Sequence, residues 1–179
     1  MGEDWQDRYL VWDMYAGVGK LEAEHSNLRN VFMSTLDEAD VTIMKSNPAF
    51  AGAENSQYNY LNDDVTDFGE IDYSLSGKVP MALRRAIAES KASVEGARPI
   101  LVLINPPYGE AANSQGNPGK TGIARKRVRH GMDHLGYAAR ELFVQFLHRI
   151  MKELPSAKLA MFSTLKYVNA PNLKAFRDR

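Results

Sequence analysis

The chain has 179 residues, no cysteine, and 22 basic against 22 acidic residues, so its formal net charge is zero. This length suits one domain with a substantial core. The lack of cysteine excludes disulfides and cysteine-ligated zinc, and it predicts a reducing, cytoplasmic location. We find no secretory signal and no apolar run long enough to span a bilayer, so we expect no membrane partner.

The first predicted strand, residues 8–13, runs into a glycine-rich turn. Gly17 and Gly19 allow a positive φ and let the backbone come close to a ligand. A helix predicted over 20–29 follows, so the ligand would lie at a helix N-terminus, within reach of a carboxylate at the strand end. The predicted ligand-binding residues of this turn are Asp13, Ala16, Gly17 and Gly19.

The turn lacks one glycine of the dinucleotide-binding fingerprint. That G-x-G-x-x-G pattern requires glycine at the position where this chain has Glu22. The sequence therefore argues against a nicotinamide-dependent dehydrogenase. The pattern that remains, D-x-x-A-G-x-G-x-L, resembles the cofactor loop of Rossmann-like methyltransferases that bind S-adenosylmethionine.

The next three predicted elements are a strand over 30–36, a helix over 38–46 and a strand over 57–61. Polar residues follow both strands, where a ligand at the sheet edge could contact them. Each has a structural alternative, because acidic and amide side chains also cap helices and stabilise turns. These candidate residues are Asp37, Asn59 and Asp63.

The most informative segment is the tetrad Asn105-Pro106-Pro107-Tyr108. It follows a helix predicted over 79–95 and an apolar strand predicted over 99–104. The two prolines remove two backbone donors and fix φ, so the chain leaves the sheet in a rigid turn. Asn105 then lies at the carboxyl edge, where open α/β sheets bind ligands. An amide, a rigid turn and an aromatic ring in this order favour a site for a planar, amine-bearing substrate.

This tetrad resembles the catalytic motif of amino-group methyltransferases that use S-adenosylmethionine. With the glycine turn about 85 residues upstream, the order and spacing resemble those of DNA adenine-N6 methyltransferases over about residues 8–168. The resemblance implies methyl transfer to DNA adenine in a restriction-modification system. It also implies that Asp37 contacts the cofactor ribose, and that Asn59 or Asp63 contacts the cofactor adenine.

Charge is distributed unevenly along the chain. Residues 1–75 carry 4 Lys/Arg and 15 Asp/Glu, whereas residues 76–179 carry 18 and 7. Many of the cations lie in a loop predicted over 109–136, directly after the tetrad. Such a segment predicts contacts with nucleic-acid phosphates, although a solvated basic loop is the alternative. The candidate phosphate-binding residues are Lys120, Arg125, Lys126, Arg127 and Arg129.

One histidine pair has the spacing of a metal site. His130 and His134 are four residues apart, but Gly131 weakens any helix there and no third ligand is close in the sequence. We therefore expect no metal site.

The remaining predicted elements are a helix over 137–153, a strand over 157–163 and a helix that starts near Pro171. Alternating strands and helices predict one α/β domain, residues 1–179, with a doubly wound, mostly parallel sheet. The resemblance implies a Rossmann-like methyltransferase fold, of which this chain supplies five of seven strands. We therefore expect a partial catalytic domain without a target-recognition domain, which would need further domains or subunits to recognise its DNA.

Other functions stay open on the sequence alone. The same tetrad occurs in enzymes that methylate RNA bases or protein glutamine, because all of these substrates present a planar NH₂ group. A catalytically inactive cofactor-binding or interaction fragment is a further alternative. It is favoured by Thr35, where the family commonly has an acid, and by Asn59, where the family has a carboxylate.

Overall fold

A five-stranded, all-parallel sheet forms the centre of the computed structural model, which describes residues 5–109, 126–164 and 166–178. The strand order is β3-β2-β1-β4-β5. The predicted α/β class and parallel sheet are therefore confirmed. The strands are β1 (Leu10–Asp13), β2 (Val31–Thr35), β3 (Glu54–Gln57), β4 (Ile100–Ile104) and β5 (Lys158–Met161).

The three central strands are apolar because both faces of the sheet are covered. Side chains alternate between two hydrophobic clusters, as the two-residue period of a strand requires. Leu10 and Trp12 of β1 belong to one cluster, with Ile100 of β4. Val11 and Leu101 belong to the other. The sheet therefore forms the middle layer of the fold.

Helices lie on both sides of this layer. Helix α2 contributes Val41 and Met44 to the second cluster, whereas α3 and α4 contribute Leu83 and Phe143 to the first. Within the described ranges, no helix is both long and apolar enough to cross a membrane. The α-helices are α1 (Trp5–Arg8), α2 (Glu38–Ser46), α3 (Met81–Lys91), α4 (Leu142–Glu153), α5 (Lys166–Asn169) and α6 (Lys174–Arg177). Short 3₁₀ segments cover Pro48–Phe50, Arg127–Arg140 and Pro171–Leu173.

Several predicted boundaries differ from the observed ones. The helix predicted over 38–46 matches α2, whereas the one predicted over 79–95 is shorter at both ends. The helix predicted over 137–153 begins only at Leu142, because 3₁₀ turns continue to Arg140 and Glu141 is extended, with φ −87° and ψ 124°. The predicted strands at 8–13, 99–104 and 157–163 are each present but shorter.

The helix predicted over 20–29 is wrong. Residues 14–30 form consecutive turns without a helix. Gly17 and Gly19 adopt positive φ, and Glu22 is fully buried rather than exposed on a helix face. The glycine turn therefore does not lead into a helix N-terminus, and no helix dipole acts on a ligand there.

The strand predicted over 57–61 is displaced. Strand β3 ends at Gln57, and the chain then turns, with the amides of Asn62 and Asp63 donating to the Asn59 carbonyl. Tyr58 and Tyr60 are not alternating strand residues but fully buried anchors. Their aromatic, β-favouring character predicted a strand, and tertiary contacts determine a turn instead.

The loop predicted over 109–136 is structured in its second half. From Arg127 to Arg140 the chain forms 3₁₀ turns that bury Val128, Met132 and Leu135. The prediction of one long unstructured loop is therefore wrong for this part. Residues 110–125 lie outside the described part of the chain.

A buried ion pair joins helix α4 to the segment after β3. Arg149 Nε lies 3.1 Å from Glu153 Oε2, and both side chains are fully buried. Arg149 donates to the Tyr58 hydroxyl at 2.7 Å and also to the Tyr60 carbonyl. Glu153 accepts from the hydroxyls of Tyr60, at 2.6 Å, and Tyr73. Burial, and then the Glu153 charge, raise the pKa of Tyr60 and Tyr73 far above the ordinary tyrosine value, so both hydroxyls remain donors.

We expect Arg149→Met to destabilise the fold by about 3 to 5 kcal/mol, because it leaves Glu153 buried without its partner. The matched control is Arg85→Met, which removes the same kind of i, i+4 pair with Glu89 on the exposed face of α3. The control should leave the urea midpoint unchanged within error. Equal midpoints for the two variants would contradict a stabilising role for the buried pair.

Candidate functional site

The two sequence motifs meet at the carboxyl edge of the sheet. Strands β1 and β4 are neighbours, with Trp12 paired to Val102, so the segments that follow them leave the sheet side by side. The chain continues from β1 to one side of the sheet and from β4 to the other, which makes this position a topological switch point. A cleft of about 290 Å³ lies there. This outer cleft is lined by Tyr15, Ala16, Gly17, Val18, Lys20, Leu21 and Asn105.

The two glycines of the turn have different roles. Gly17 has φ +56°, and a Cβ added there would project into open space. Gly19 has φ +81°, and a Cβ there would lie only 2.6 Å from Phe50 Cζ. Gly17 therefore keeps the wall of the outer cleft open, whereas Gly19 lets the turn pack against the core. Ala16 joins the turn to β2 through a 2.9 Å hydrogen bond from its amide to the Ser34 carbonyl.

Asp13 lies beneath the turn instead of lining the outer cleft. Its carboxyl group is completely buried, and Oδ1 accepts a 2.7 Å hydrogen bond from the Tyr15 amide. Its Oδ2 atom and both carboxyl oxygens of the nearby buried Glu22 have no hydrogen-bond partner among the described residues. Burial raises the pKa of Asp13 well above its ordinary value, and the neighbouring Glu22 raises it further. Burial likewise raises the pKa of Glu22, so folding favours the protonated form of both carboxyl groups.

The tetrad residues take different positions at the end of β4. Asn105 is exposed, and its side-chain amide has no hydrogen-bond partner among the described residues. Pro106 is buried, and Pro107 is partly buried. Tyr108 has 46% of its surface exposed, and its ring centroid lies 5.7 Å from that of Phe143 in α4. The rigid turn therefore presents a free amide and an aromatic ring at the sheet edge.

A second, mostly apolar cavity of about 80 Å³ lies deeper at the same edge. Tyr15 lines both this inner pocket and the outer cleft, and its ring packs edge-to-face on Phe146 at 5.8 Å. We did not predict a role for Tyr15 from the sequence, although its place between Asp13 and the first glycine was a signal. Other residues that line the inner pocket are Leu36, Asn59, Tyr60, Leu61, Pro107 and Phe146.

The predicted acidic contacts have structural roles in the described chain. Asp37 caps helix α2, with Oδ1 accepting from the Ala39 amide at 2.9 Å. Asp63 Oδ2 accepts from the Asn59 amide at 3.0 Å and from Lys78 Nζ at 2.9 Å. Of the polar candidates after β2 and β3, Asn59 therefore lies in the inner pocket, whereas both carboxylates stabilise local structure.

The predicted phosphate-binding residues do not form one uniform surface. Lys126 lines the inner pocket. Arg127 is exposed and lies 3.7 Å from Asp67, and Arg129 is partly buried. Lys120 and Arg125 lie outside the described residues. Across the described ranges, no group of three or more His, Cys, Asp or Glu side chains is arranged to hold a metal ion.

Comparison with known proteins does not identify a family. No protein-family model, no curated protein and no solved structure matches this chain. The chemistry of the site must therefore be inferred from the chain's own residues. Those residues combine an open glycine turn, an unpartnered amide and an apolar pocket at one sheet edge.

The raised pKa values of Asp13 and Glu22 predict a pH-dependent stability. A carboxyl group whose pKa is raised by folding stabilises the folded state at low pH. This contribution is lost as the pH rises through the folded-state pKa. We expect Glu22→Gln to lose less stability between pH 5 and pH 8 than the wild type, by about 1 kcal/mol, because the amide does not titrate and removes the charge that raises the pKa of Asp13. Urea unfolding at both pH values measures the difference.

The control for this comparison is Glu24→Gln, which changes an exposed glutamate two residues away. It should show the same pH dependence as the wild type. If Glu22→Gln also matched the wild type at both pH values, the burial of Glu22 would not be raising its pKa in the folded state.

Proposed function

We propose that this chain is a methyltransferase that transfers a methyl group from S-adenosylmethionine to the N6 amine of adenine in DNA. The observation that carries the proposal is the outer cleft, in which Asn105 of the tetrad and Gly17 of the turn line one cavity. The two motifs were inferred separately from the sequence, about 85 residues apart. Their meeting at a switch point of the sheet supports a shared function.

The residues present fit S-adenosylmethionine. The outer cleft, with its open wall at Gly17, accommodates the amino-acid part of the cofactor. The inner pocket presents Asn59 and the Tyr60 and Phe146 rings, a lining that suits a purine, and it would widen from about 80 Å³ to admit one. Asp37 adjoins this pocket through Leu36 and keeps Oδ2 without a partner in the described chain, so the ribose contact is compatible with its capping role.

The tetrad prepares the substrate amine for attack. The exocyclic nitrogen of adenine is a weak nucleophile because its lone pair is delocalised into the ring. The Asn105 side-chain oxygen and the Pro106 carbonyl would accept its two N–H donors, which localises the lone pair and stabilises developing positive charge. Pro107 fixes the turn, and the Tyr108 ring stacks on the base, an interaction worth about 1–3 kcal/mol.

The cofactor, when bound, supplies the methyl group: a carbon–nitrogen bond forms, the carbon–sulfur bond breaks, and one amine proton is released to water. The protein's contribution is alignment, because two reactants held in line avoid the entropic cost of an encounter in solution. In duplex DNA the adenine must first leave the helix. Exposed cations such as Arg127, together with Lys126, favour a polyanionic substrate over protein glutamine.

A catalytically inactive interaction module is the second candidate. It is favoured by the engagement of Asp13, Asp37 and Asp63 in structural hydrogen bonds. These contacts leave few acidic groups directed at a ligand. The two candidates differ in whether Asn105 affects turnover.

Calorimetric titration tests cofactor binding directly. We expect micromolar affinity for both S-adenosylmethionine and S-adenosylhomocysteine. Tyr15→Ala should weaken S-adenosylhomocysteine about tenfold, because its ring borders both cavities. Phe68→Ala removes an aromatic ring that lines neither cavity and should have no effect. A folded wild-type chain that binds neither compound would contradict the proposal.

The catalytic role of the tetrad is tested by Asn105→Ala. We expect methyl transfer to fall at least a hundredfold, while the affinity for S-adenosylhomocysteine changes less than threefold. Tritium incorporation into DNA, RNA and a glutamine-containing peptide measures transfer and identifies the substrate class. The control Asn169→Ala, at the end of α5, should retain full activity.

An unchanged rate in Asn105→Ala would remove the tetrad from the mechanism. Loss of cofactor binding together with activity would indicate instead that Asn105 supports the cleft itself.

A further inference from the structure

A cleft between α4 and the 3₁₀ segment Arg127–Arg140 is separate from the candidate site. It has a volume of about 510 Å³, and its lining residues differ from those of the outer cleft and the inner pocket. We call it the histidine cleft. It is lined by Gly131, His134, His148, Met151 and Lys152.

The fold brings two histidines from different elements together in this cleft. His134 lies in the 3₁₀ segment and His148 in α4, and their ring centroids are 6.3 Å apart. The sequence suggested His130 as the neighbour of His134, but His130 Nδ1 lies 2.8 Å from the Asp67 carbonyl oxygen. The pair in the histidine cleft therefore depends on tertiary packing and not on a four-residue spacing.

The two imidazoles have different exposures. His148 is only 9% exposed, whereas His134 is exposed. A Cβ added at Gly131 would lie 3.8 Å from His148 Nε2, so this nitrogen borders space that a side chain at 131 would occupy. An imidazole has two ring nitrogens, and a partner at one of them orients the ring and leaves the other to bind a ligand.

Met151 adds a sulfur donor to the same cleft. It follows His148 by one helical turn in α4, and 50% of its surface is exposed. Thioether sulfur is a soft ligand that selects Cu(I), and imidazole also binds copper well. The histidine cleft therefore combines two nitrogen donors with one soft sulfur donor.

The lysine of the cleft has its charge paired. Lys152 Nζ donates to a Glu70 carboxylate oxygen at 2.7 Å and to the Gly69 carbonyl at 3.1 Å. These two acceptors hold the ammonium group at the turn that carries Gly69. Its charge is therefore neutralised locally and does not oppose a bound cation.

The distance between the rings favours a nearly linear arrangement of the two nitrogens. A metal–imidazole bond is about 2.0–2.1 Å long, so two rings on opposite sides of one ion have centroids about 6.4 Å apart. In a tetrahedral site the same centroids would be about 5.2 Å apart. The observed 6.3 Å therefore fits the low-coordinate geometry of Cu(I) better than the tetrahedral geometry of Zn²⁺.

We propose that His134, His148 and Met151 form a binding site for a soft monovalent metal ion, Cu(I). The imidazoles would bind the ion from opposite sides, and the Met151 thioether would be the third ligand. A site of this kind contains fewer than three His, Cys, Asp or Glu ligands, because its third donor is methionine sulfur. The inference does not depend on the proposed methyl transfer, since the two sites have no lining residue in common.

Competition with bicinchoninate under anaerobic, reducing conditions measures the Cu(I) affinity of the full chain. We expect His134→Gln and Met151→Leu each to weaken Cu(I) binding about tenfold or more. Met151→Leu should leave the Zn²⁺ affinity unchanged, because zinc does not use a thioether ligand. His134 is exposed, so its replacement tests the site without disturbing the core, and the urea midpoint verifies folding.

The matched controls are His130→Gln and Met81→Leu. His130 is an exposed histidine of the same 3₁₀ segment, and Met81 is a methionine of α3 with 77% of its surface exposed. Neither residue lines the histidine cleft. Both variants should bind Cu(I) like the wild type.

Ag(I) provides a readout that a purely structural role of these residues would not produce. It has the charge and softness of Cu(I) but does not change its oxidation state under the conditions of the experiment. In a chain labelled with ¹³C at the methionine methyl groups, Ag(I) should shift the Met151 signal and leave the Met81 signal in place.

The outcomes decide between a specific site and adventitious binding. A folded wild type that takes no Cu(I) from bicinchoninate would overturn the inference. Equal losses in His134→Gln and His130→Gln would also overturn it, since any surface histidine would then serve. An unshifted Met151 methyl signal, with unchanged Cu(I) affinity in Met151→Leu, would overturn the assignment to a soft metal.

Discussion

The buried ion pair of Arg149 and Glu153 is the interaction on which the site's architecture depends. Burying two charges is stabilising only when their hydrogen-bonding capacity is satisfied, and here three tyrosine hydroxyls and two backbone carbonyls do so. The partners come from the segment after β3, so the ion pair fixes that segment against α4. Tyr60 and Phe146, which line the inner pocket, consequently stack at 5.5 Å between ring centroids.

This dependence explains which elements the sequence predicts and which it does not. The apolar run of β4 and the capped helix α2, with Asp37 at its N-terminus, follow from local patterns and appear where expected. The turn at Tyr58 does not, because local preference favours a strand while contacts some 90 residues away determine the turn. The helix predicted after the glycine turn is missing where Gly17 and Gly19 adopt positive φ and Glu22 is fully buried.

The residues of the candidate site also differ in whether a contiguous motif or a distant contact determines their position. The tetrad and the glycine turn are contiguous motifs, so the sequence alone identified Asn105 and Gly17, and parallel topology brought them into one cleft. Tyr15 was missed because its place between the two cavities depends on Phe146, which is distant in the sequence. Asp13 shows the converse case: its place in the motif predicted a ligand contact, yet its Oδ1 is bonded to the Tyr15 amide and its carboxyl is fully buried. Asp13 therefore does not line the outer cleft, and it stabilises the glycine turn that forms the wall of that cleft.

Rigidity at this edge comes from backbone constraints on either side of a free side chain. Two prolines fix the tetrad, strand pairing fixes the start of residues 162–164, and the Tyr108 hydroxyl joins the two. The unpartnered Asn105 amide lowers the stability of the free protein little while water hydrates it. Because the tetrad backbone is constrained, the amide needs no reorganisation when a substrate replaces that water. The half-exposed Tyr108 ring on the same turn is likewise costly in water and favourable against a flat ligand. The Asn105 amide without a hydrogen-bond partner and the exposed Tyr108 ring are therefore the groups that would bind a planar amine.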